Sequence, residues 1–248
     1  MKIVSYNIAY FSGLTGKKFH YVSKFHKMLF HSKKKMNEII DFLKKENPDV
    51  VGLIEIDGGS LRTLYKSQPE RVEKQMKYNM LFNQKYGENK IKTKIPILKK
   101  QGNAFITRKK IEEYEFFSLP VGFKRLVIRI RYEGIQFYLV HLALSKMARS
   151  IQIDFLRKKI NKEDKNIILG DFNTFNGETE LRKLIEECDL KNPNEGKIPT
   201  QPSCKPKYTL DYILVSKGIK VNKFTVPSLQ YSDHLPVIVE ICTKERIG

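Results

Sequence analysis

The sequence predicts an α/β fold in which two mixed β-sheets pack face to face with helices outside. Two observations point there. Short β-rich apolar runs dominate the chain and helical stretches interrupt them at intervals, the pattern of layered sheets covered by helices. Polar motifs stand at the ends of those runs, in an order reaching from residue 7 to residue 234, so one site would draw on nearly the whole length. A single domain over residues 1–248 follows, with no repeats and no low-complexity linker, and 41% apolar residues suffice for its core.

The elements follow in chain order. Residues 2–7 read as a buried strand, Ile3 and Val4 being β-branched. Residues 8–34 form a long, irregular, basic segment. A helix over 36–46 puts Ile39, Ile40 and Leu43 on one face and stops before Pro48. The apolar strand 49–55 ends in Glu55, and residues 60–77 read as helical after Gly58-Gly59. Strands are then predicted at 78–82, 103–107, 114–119, 126–132 and 136–142, the last two joined by a Glu133-Gly134 hairpin turn. An amphipathic helix over 147–160 would turn Ile151, Phe155, Leu156 and Ile160 inward. A strand at 166–169 and a helix at 178–187 come next. Strands 208–215 and 221–226 are expected to pair around Lys217-Gly218, and 235–241 closes the fold.

The formal net charge is +19, from 46 Lys+Arg against 27 Asp+Glu. Such an excess concentrates anions near the surface and speeds encounter with polyanions. It is unevenly placed. No acid precedes Glu38, while eight lysines do, interleaved with Tyr10, Phe11, Phe19, Tyr21, Phe25 and Phe30. Residues 85–110 hold nine Lys/Arg against Glu88 alone. Lysines beside aromatic rings suit a nucleic-acid backbone with stacked bases, and equally an anionic membrane surface. Cys188, Cys204 and Cys242 are odd in number and widely spaced, so neither a zinc site nor a disulfide framework is expected. No run is long enough to span a membrane, and residues 1–9 read as a strand rather than a leader. A cytoplasmic monomer is the expectation. His20, His26 and His31 are spaced as surface residues, no Gly-x-Ser-x-Gly is present, and the Gly13–Lys18 stretch lacks the spacing of a phosphate loop.

The chemistry is carried by the motifs at strand ends, where layered α/β folds assemble their sites. Gly170 permits an abrupt turn after Ile167-Ile168-Leu169, and Asp171 and Asn173 can point one way across Phe172 to orient water and bind a phosphoryl oxygen. The same residues suit an Asx turn. His234, in Ser232-Asp233-His234, can take a proton from water if a carboxylate fixes its tautomer, and Asp211 is the orienter expected. Asp233 would then face a metal. Glu55 follows five apolar or small residues, where an unpaired carboxylate is costly and a divalent cation would satisfy it. Asn7 is a metal-shell or phosphate contact, or a turn residue. His141 ends another run. Asn103 and Arg149 are weaker substrate-binding suggestions, and Arg149 also reads as a solvated helix residue.

The ordered set Asn7, Glu55, His141, Gly170-Asp171-Phe172-Asn173, Asp211, Ser232-Asp233-His234 resembles the endonuclease/exonuclease/phosphatase superfamily over essentially the whole chain. The resemblance implies a four-layer α/β sandwich and Mg2+- or Mn2+-dependent phosphoesterase chemistry. It implies Glu55 as the main metal ligand with Asn7 nearby, and Asp171 and Asn173 positioning nucleophile and phosphate. It further implies His141 on the phosphate, His234 as general base oriented by Asp211, and Asp233 assisting metal and histidine. Tyr6-Asn7 and Ile54-Glu55 depart from the Trp-Asn and Gln-Glu usual in abasic-site endonucleases, which argues against that branch. His141-Leu142 with Arg149, Gln152 and Leu156 is similar to the broad bacterial branch of nucleases, sphingomyelinase-like lipases and phosphohydrolases. The leading expectation is a nucleic-acid phosphodiesterase. The alternatives are a phospholipid or inositol-phosphate headgroup phosphoesterase and a non-catalytic binding protein.

Overall fold

A computed structural model describes residues 1–16, 32–84, 100–194 and 198–243. The basic stretch around His20, His26 and His31, and most of the Lys-rich segment after Gln84, lie outside the described residues.

Two six-stranded mixed sheets form the centre. The first runs β11-β12-β1-β2-β4-β3 and the second β5-β6-β7-β8-β10-β9. In the first are β1 (Lys2–Asn7), β2 (Val50–Asp57), β3 (Asn79–Gln84), β4 (Gln101–Thr107), β11 (Val221–Thr225) and β12 (Val237–Ile241). The second holds β5 (Glu113–Ser118), β6 (Leu126–Tyr132), β7 (Ile135–His141), β8 (Asn166–Asp171), β9 (Leu190–Lys191) and β10 (Asp211–Ser216). Helices α1 (Lys33–Glu46) and α2 (Gln68–Met76) follow β1 and β2, while α3 (Lys146–Lys159) and α4 (Arg182–Glu187) follow β7 and β8.

Side-chain alternation along the strands builds the layers. Ile3, Val50, Phe105, Ile128, Leu139, Leu169 and Val239 meet between the sheets. Their neighbours Val4, Val51 and Ile106 face Met36, Ile39, Ile40 and Leu43 of α1 and Val72 of α2. On the other side Val140, Ile168 and Leu214 pack on Ile153 and Leu156 of α3 and Leu184 of α4. The order helix, sheet, sheet, helix is the four-layer sandwich.

Each sheet has one parallel pair joined by a helical crossover, β1 with β2 and β7 with β8, and all its other pairings are antiparallel. The ends of both parallel pairs lie at one edge of the sandwich, with Asn7 level with Ile54 and His141 level with Asp171. Asp211, the first residue of antiparallel β10, is level with Asp171. Gly170 is obligatory for this approach: its φ is +141°, and an added Cβ would lie 1.9 Å from Val140 O.

Four expectations need correction. Strands β10 and β11 do not pair around Lys217-Gly218; β10 pairs with β8 and β9, and β11 with β12 in the other sheet. The fully buried β10 needs a neighbour on each side, whereas half-exposed β11 serves as an edge. Residues 60–77 are not one helix, because Leu64 and Tyr65 take positive φ and Ser67 caps a new start. In α3, Ile151 points outward, and Arg149, read as solvated, is buried. The Glu133-Gly134 turn is as expected: both residues have positive φ, the type I′ geometry that matches strand twist.

Candidate active site

The common edge of the sheets collects the polar motifs, and local chain geometry explains how. At the end of β2 the register against β4 shifts between Ile54 and Ile56, so Glu55 bulges out with φ +61°. Asn103 supports the bulge, its Oδ1 accepting from Glu55 N at 3.3 Å. The Asn103 Nδ2 is buried with no hydrogen-bond partner among the described residues. Glu55 keeps one-fifth of its side chain exposed, and its Oε1 lies 3.9 Å from His141 Nδ1.

Asp171 is the hub. Its Oδ2 accepts from Asn7 Nδ2 at 3.1 Å and lies 3.2 Å from His141 Nε2 and 3.9 Å from His234 Nε2. Its Oδ1 accepts from Asn173 N at 3.0 Å, so the Asx turn and the site are one feature. Asn173, at φ +52°, donates Nδ2 to Leu142 O and ties the β8 turn to the chain after β7. Burial would raise the Asp171 carboxyl, but the imidazoles of His141 and His234 outweigh it and hold the group well below the usual carboxylate range.

His234 Nδ1 lies 2.8 Å from Asp211 Oδ2. That carboxylate fixes the proton on Nδ1 and turns Nε2 toward Asp171. Thr200 Oγ1 donates to the same Asp211 oxygen at 2.6 Å and accepts from the N–H groups of Leu210 and Asp211. Burial opposes charge on His234, but Asp211, Asp171 and Asp233 together raise it to about 10. Burial also raises Asp211, so the pair as a whole holds one proton tightly. Asp233 is raised by burial as well. The Ser232 hydroxyl anchors this motif on β1 through Asn7 O at 2.7 Å.

The donor set fits a hard divalent cation. Four carboxylates, Glu55, Asp171, Asp211 and Asp233, stand at one edge, and Asp211 Oδ1 is buried with no hydrogen-bond partner among the described residues. Asp171, Asp211 and His234 present ligand atoms within 4.8 Å of one another. The facing atoms of Asp211 and His234 are already hydrogen-bonded to each other.

The structure thus brings Asn7, His141, Asp171, Asn173, Asp211 and His234 together by direct contacts, with Glu55 and Asn103 on the bulge beside them. Arg149 stands apart. Its guanidinium forms a two-pronged pair with Glu180, the closest approach being 2.6 Å, and donates to Ala143 O and Leu144 O, shaping the chain after His141. Sequence reasoning missed Thr200 and Lys124. The Lys124 ammonium touches His141 Nε2. Neither carries a sequence signal, because both lie in irregular segments between elements.

The profile of the endonuclease/exonuclease/phosphatase family matches residues 4–234. The chain belongs to this family. Its membership gives the chain a phosphoesterase-type hydrolase fold. No curated protein matches the chain by sequence. Among solved structures, the family fold is shared with a mannosyl-6-phosphatase from Bacteroides thetaiotaomicron (TM-score 0.72, 16% identity, 98% of this chain and 99% of that one). The human nocturnin catalytic domain with a bound sulfate anion is similar too (0.73, 16%, 98% and 94%). A humanised TDP2 from D. rerio gives 0.66 at 15% identity, covering 98% of this chain and 99% of that one. Among the described residues, no helix of this family member is long and apolar enough to cross a membrane.

Proposed function

We propose that this protein is a divalent-metal-dependent phosphodiesterase acting on nucleic acid, with His234 as the general base. The observation that carries the chemistry is the Asp211–His234 pair, with Nε2 turned to the Asp171 carboxylate. Asp171 and Asn173 orient the attacking water, and His234 Nε2 would take its proton as the P–O ester bond breaks once a cation offsets the carboxylates that otherwise keep the imidazole protonated, with Asp211 stabilising the imidazolium that forms. The Asn103 Nδ2 and His141 donate to non-bridging oxygens as charge grows on phosphorus. Glu55 and Asp233, with Asn7 nearby and Asp171 beside them, would hold Mg2+ or Mn2+. When bound, the cation supplies Lewis-acid neutralisation of phosphoryl charge. Nucleic acid as the substrate class rests on the +19 net charge.

A second reading is a small phosphoester, a phosphorylated sugar or a phospholipid or inositol-phosphate headgroup. The likeness to a mannosyl-6-phosphatase favours it.

Hydrolysis of DNA, RNA, sphingomyelin, sugar phosphates and bis-p-nitrophenyl phosphate, with and without EDTA, tests both. Chelation should abolish turnover and Mg2+ or Mn2+ restore it. His234→Ala and Glu55→Gln should each lower kcat by at least about 10²-fold. Activity indifferent to EDTA would remove the metal, and near-wild-type turnover by His234→Ala would remove the base. Sugar-phosphate hydrolysis with no activity on nucleic acid would select the second reading.

A further inference from the structure

We propose that Lys124 is a phosphate-binding residue whose ammonium, beside His141, receives a non-bridging oxygen of the scissile phosphoryl group. The proposal rests on the phosphoesterase reading above and adds a cation to it.

Lys124 lies on the connection between β5 and β6, outside every polar motif. Its Nζ nevertheless meets His141 Nε2, the nitrogen 3.2 Å from Asp171 Oδ2. A lysine on an exposed connection would ordinarily sample many rotamers. Here the backbone is clamped. Gln152, fully buried on α3, donates Nε2 to Val121 O at 2.6 Å and to Lys124 O at 2.9 Å. Its Oε1 accepts from Ala143 N at 2.8 Å, so one amide ties the Lys124 connection to the chain that follows His141. Gly122 takes φ +85°, and an added Cβ would lie 3.1 Å from Gln152 Nε2 and 3.2 Å from Ala143 Cβ. The connection therefore lies directly on the first turns of α3. Arg125 Nε closes its other side on Leu119 O at 2.6 Å.

Charge completes the argument. Surface lysines such as Lys2, Lys35 and Lys109 each reach a carboxylate. Among the described residues Lys124 forms no salt bridge, and its side chain meets the imidazole of His141. No carboxylate of the described residues is within ion-pair distance of its ammonium, although the Asp171 carboxylate nearby feels its charge. A cation held at a histidine nitrogen beside a carboxylate hub is placed for an oxyanion.

The test uses Lys124→Met and Lys124→Arg in the full chain with Mg2+. It reads kcat and KM on bis-p-nitrophenyl phosphate, inhibition by inorganic phosphate, and Tm. Lys124→Met should lower kcat/KM about 10²–10³-fold, the scale of one lost oxyanion donor, and weaken phosphate inhibition about tenfold or more, at unchanged Tm. Lys124→Arg should recover part of both. Wild-type kcat/KM and phosphate inhibition in Lys124→Met would overturn the proposal, as would losses that track a lowered Tm and are not relieved by arginine. Phosphate binding can be read by calorimetry without turnover. A wild-type chain that hydrolyses no phosphoester, yet binds phosphate through Lys124, would sink the hydrolase reading and leave this site standing.

Discussion

Thr200, in the irregular stretch between β9 and β10, shows how one hydroxyl sets up a base. Its Oγ1 accepts from two backbone N–H groups and donates to Asp211 Oδ2, the oxygen that holds His234. Replacing it with valine keeps the shape and removes the donor. Thr200→Val should lower kcat about 10–100-fold, the usual cost of losing a group that orients a functional ligand, with KM little changed. Steady-state kinetics across pH checks this: a role confined to folding would lower Tm without moving the pH profile. Asp211 and His234 were legible in the sequence because each follows or precedes an apolar run, where a charged group must earn a partner. Thr200 was not, because a threonine in an irregular segment is unremarked until its distance to Asp211 is known. Glu55 was legible for the same reason as Asp211, but its positive φ was not, since the bulge depends on Asn103 from another strand.

At the scale of elements, the inward face of α3 carries the lesson. Apolar spacing correctly located the helix, yet Arg149 and Gln152 occupy positions on its buried face. The partner that makes a buried guanidinium tolerable is Glu180, 31 residues along the chain, and helical periodicity has no access to it. Together the two side chains hold the turns that present His141 and Lys124. Removing one member of a buried pair strands the other charge, at a cost of about 3–5 kcal/mol. Arg149→Met should therefore lower stability by roughly that amount in urea denaturation. Arg149→Met combined with Glu180→Leu should recover much of it, because no charge is then left unpaired. Equal losses in the single and double variants would show that the pair contributes through packing alone. The β10–β11 hairpin misled for a related reason. Local turn chemistry at Lys217-Gly218 is real, but whether a turn closes a hairpin or passes the chain to the other sheet is set by the burial of the strands it joins.

Over the whole molecule, two sheets each contribute the open end of one parallel pair, and the polar motifs of both meet at that edge. Asn7 and Glu55 come from the first sheet and His141 and Asp171 from the second, bridged by Asn7 Nδ2 on Asp171. The carboxylates Glu55, Asp171, Asp211 and Asp233 therefore repel across the seam between the two halves of the fold. A divalent cation there would offset the repulsion and bind the native state alone, since the unfolded chain scatters residues 7 to 234. Linkage then requires Tm to rise with Mg2+ or Mn2+. At a concentration 100 times Kd the native state gains about 2.7 kcal/mol, and for a domain of this size that corresponds to an upward shift of roughly 5–10 °C. Glu55→Gln should erase most of that increment while leaving the metal-free Tm equal to or above that of the unaltered chain, because one repelling charge is gone. Differential scanning fluorimetry over a metal titration separates the outcomes. A Tm indifferent to Mg2+ and Mn2+ in the unaltered chain would mean that the acidic edge is neutralised by its own histidines and Lys124, and that the seam closes without a cation.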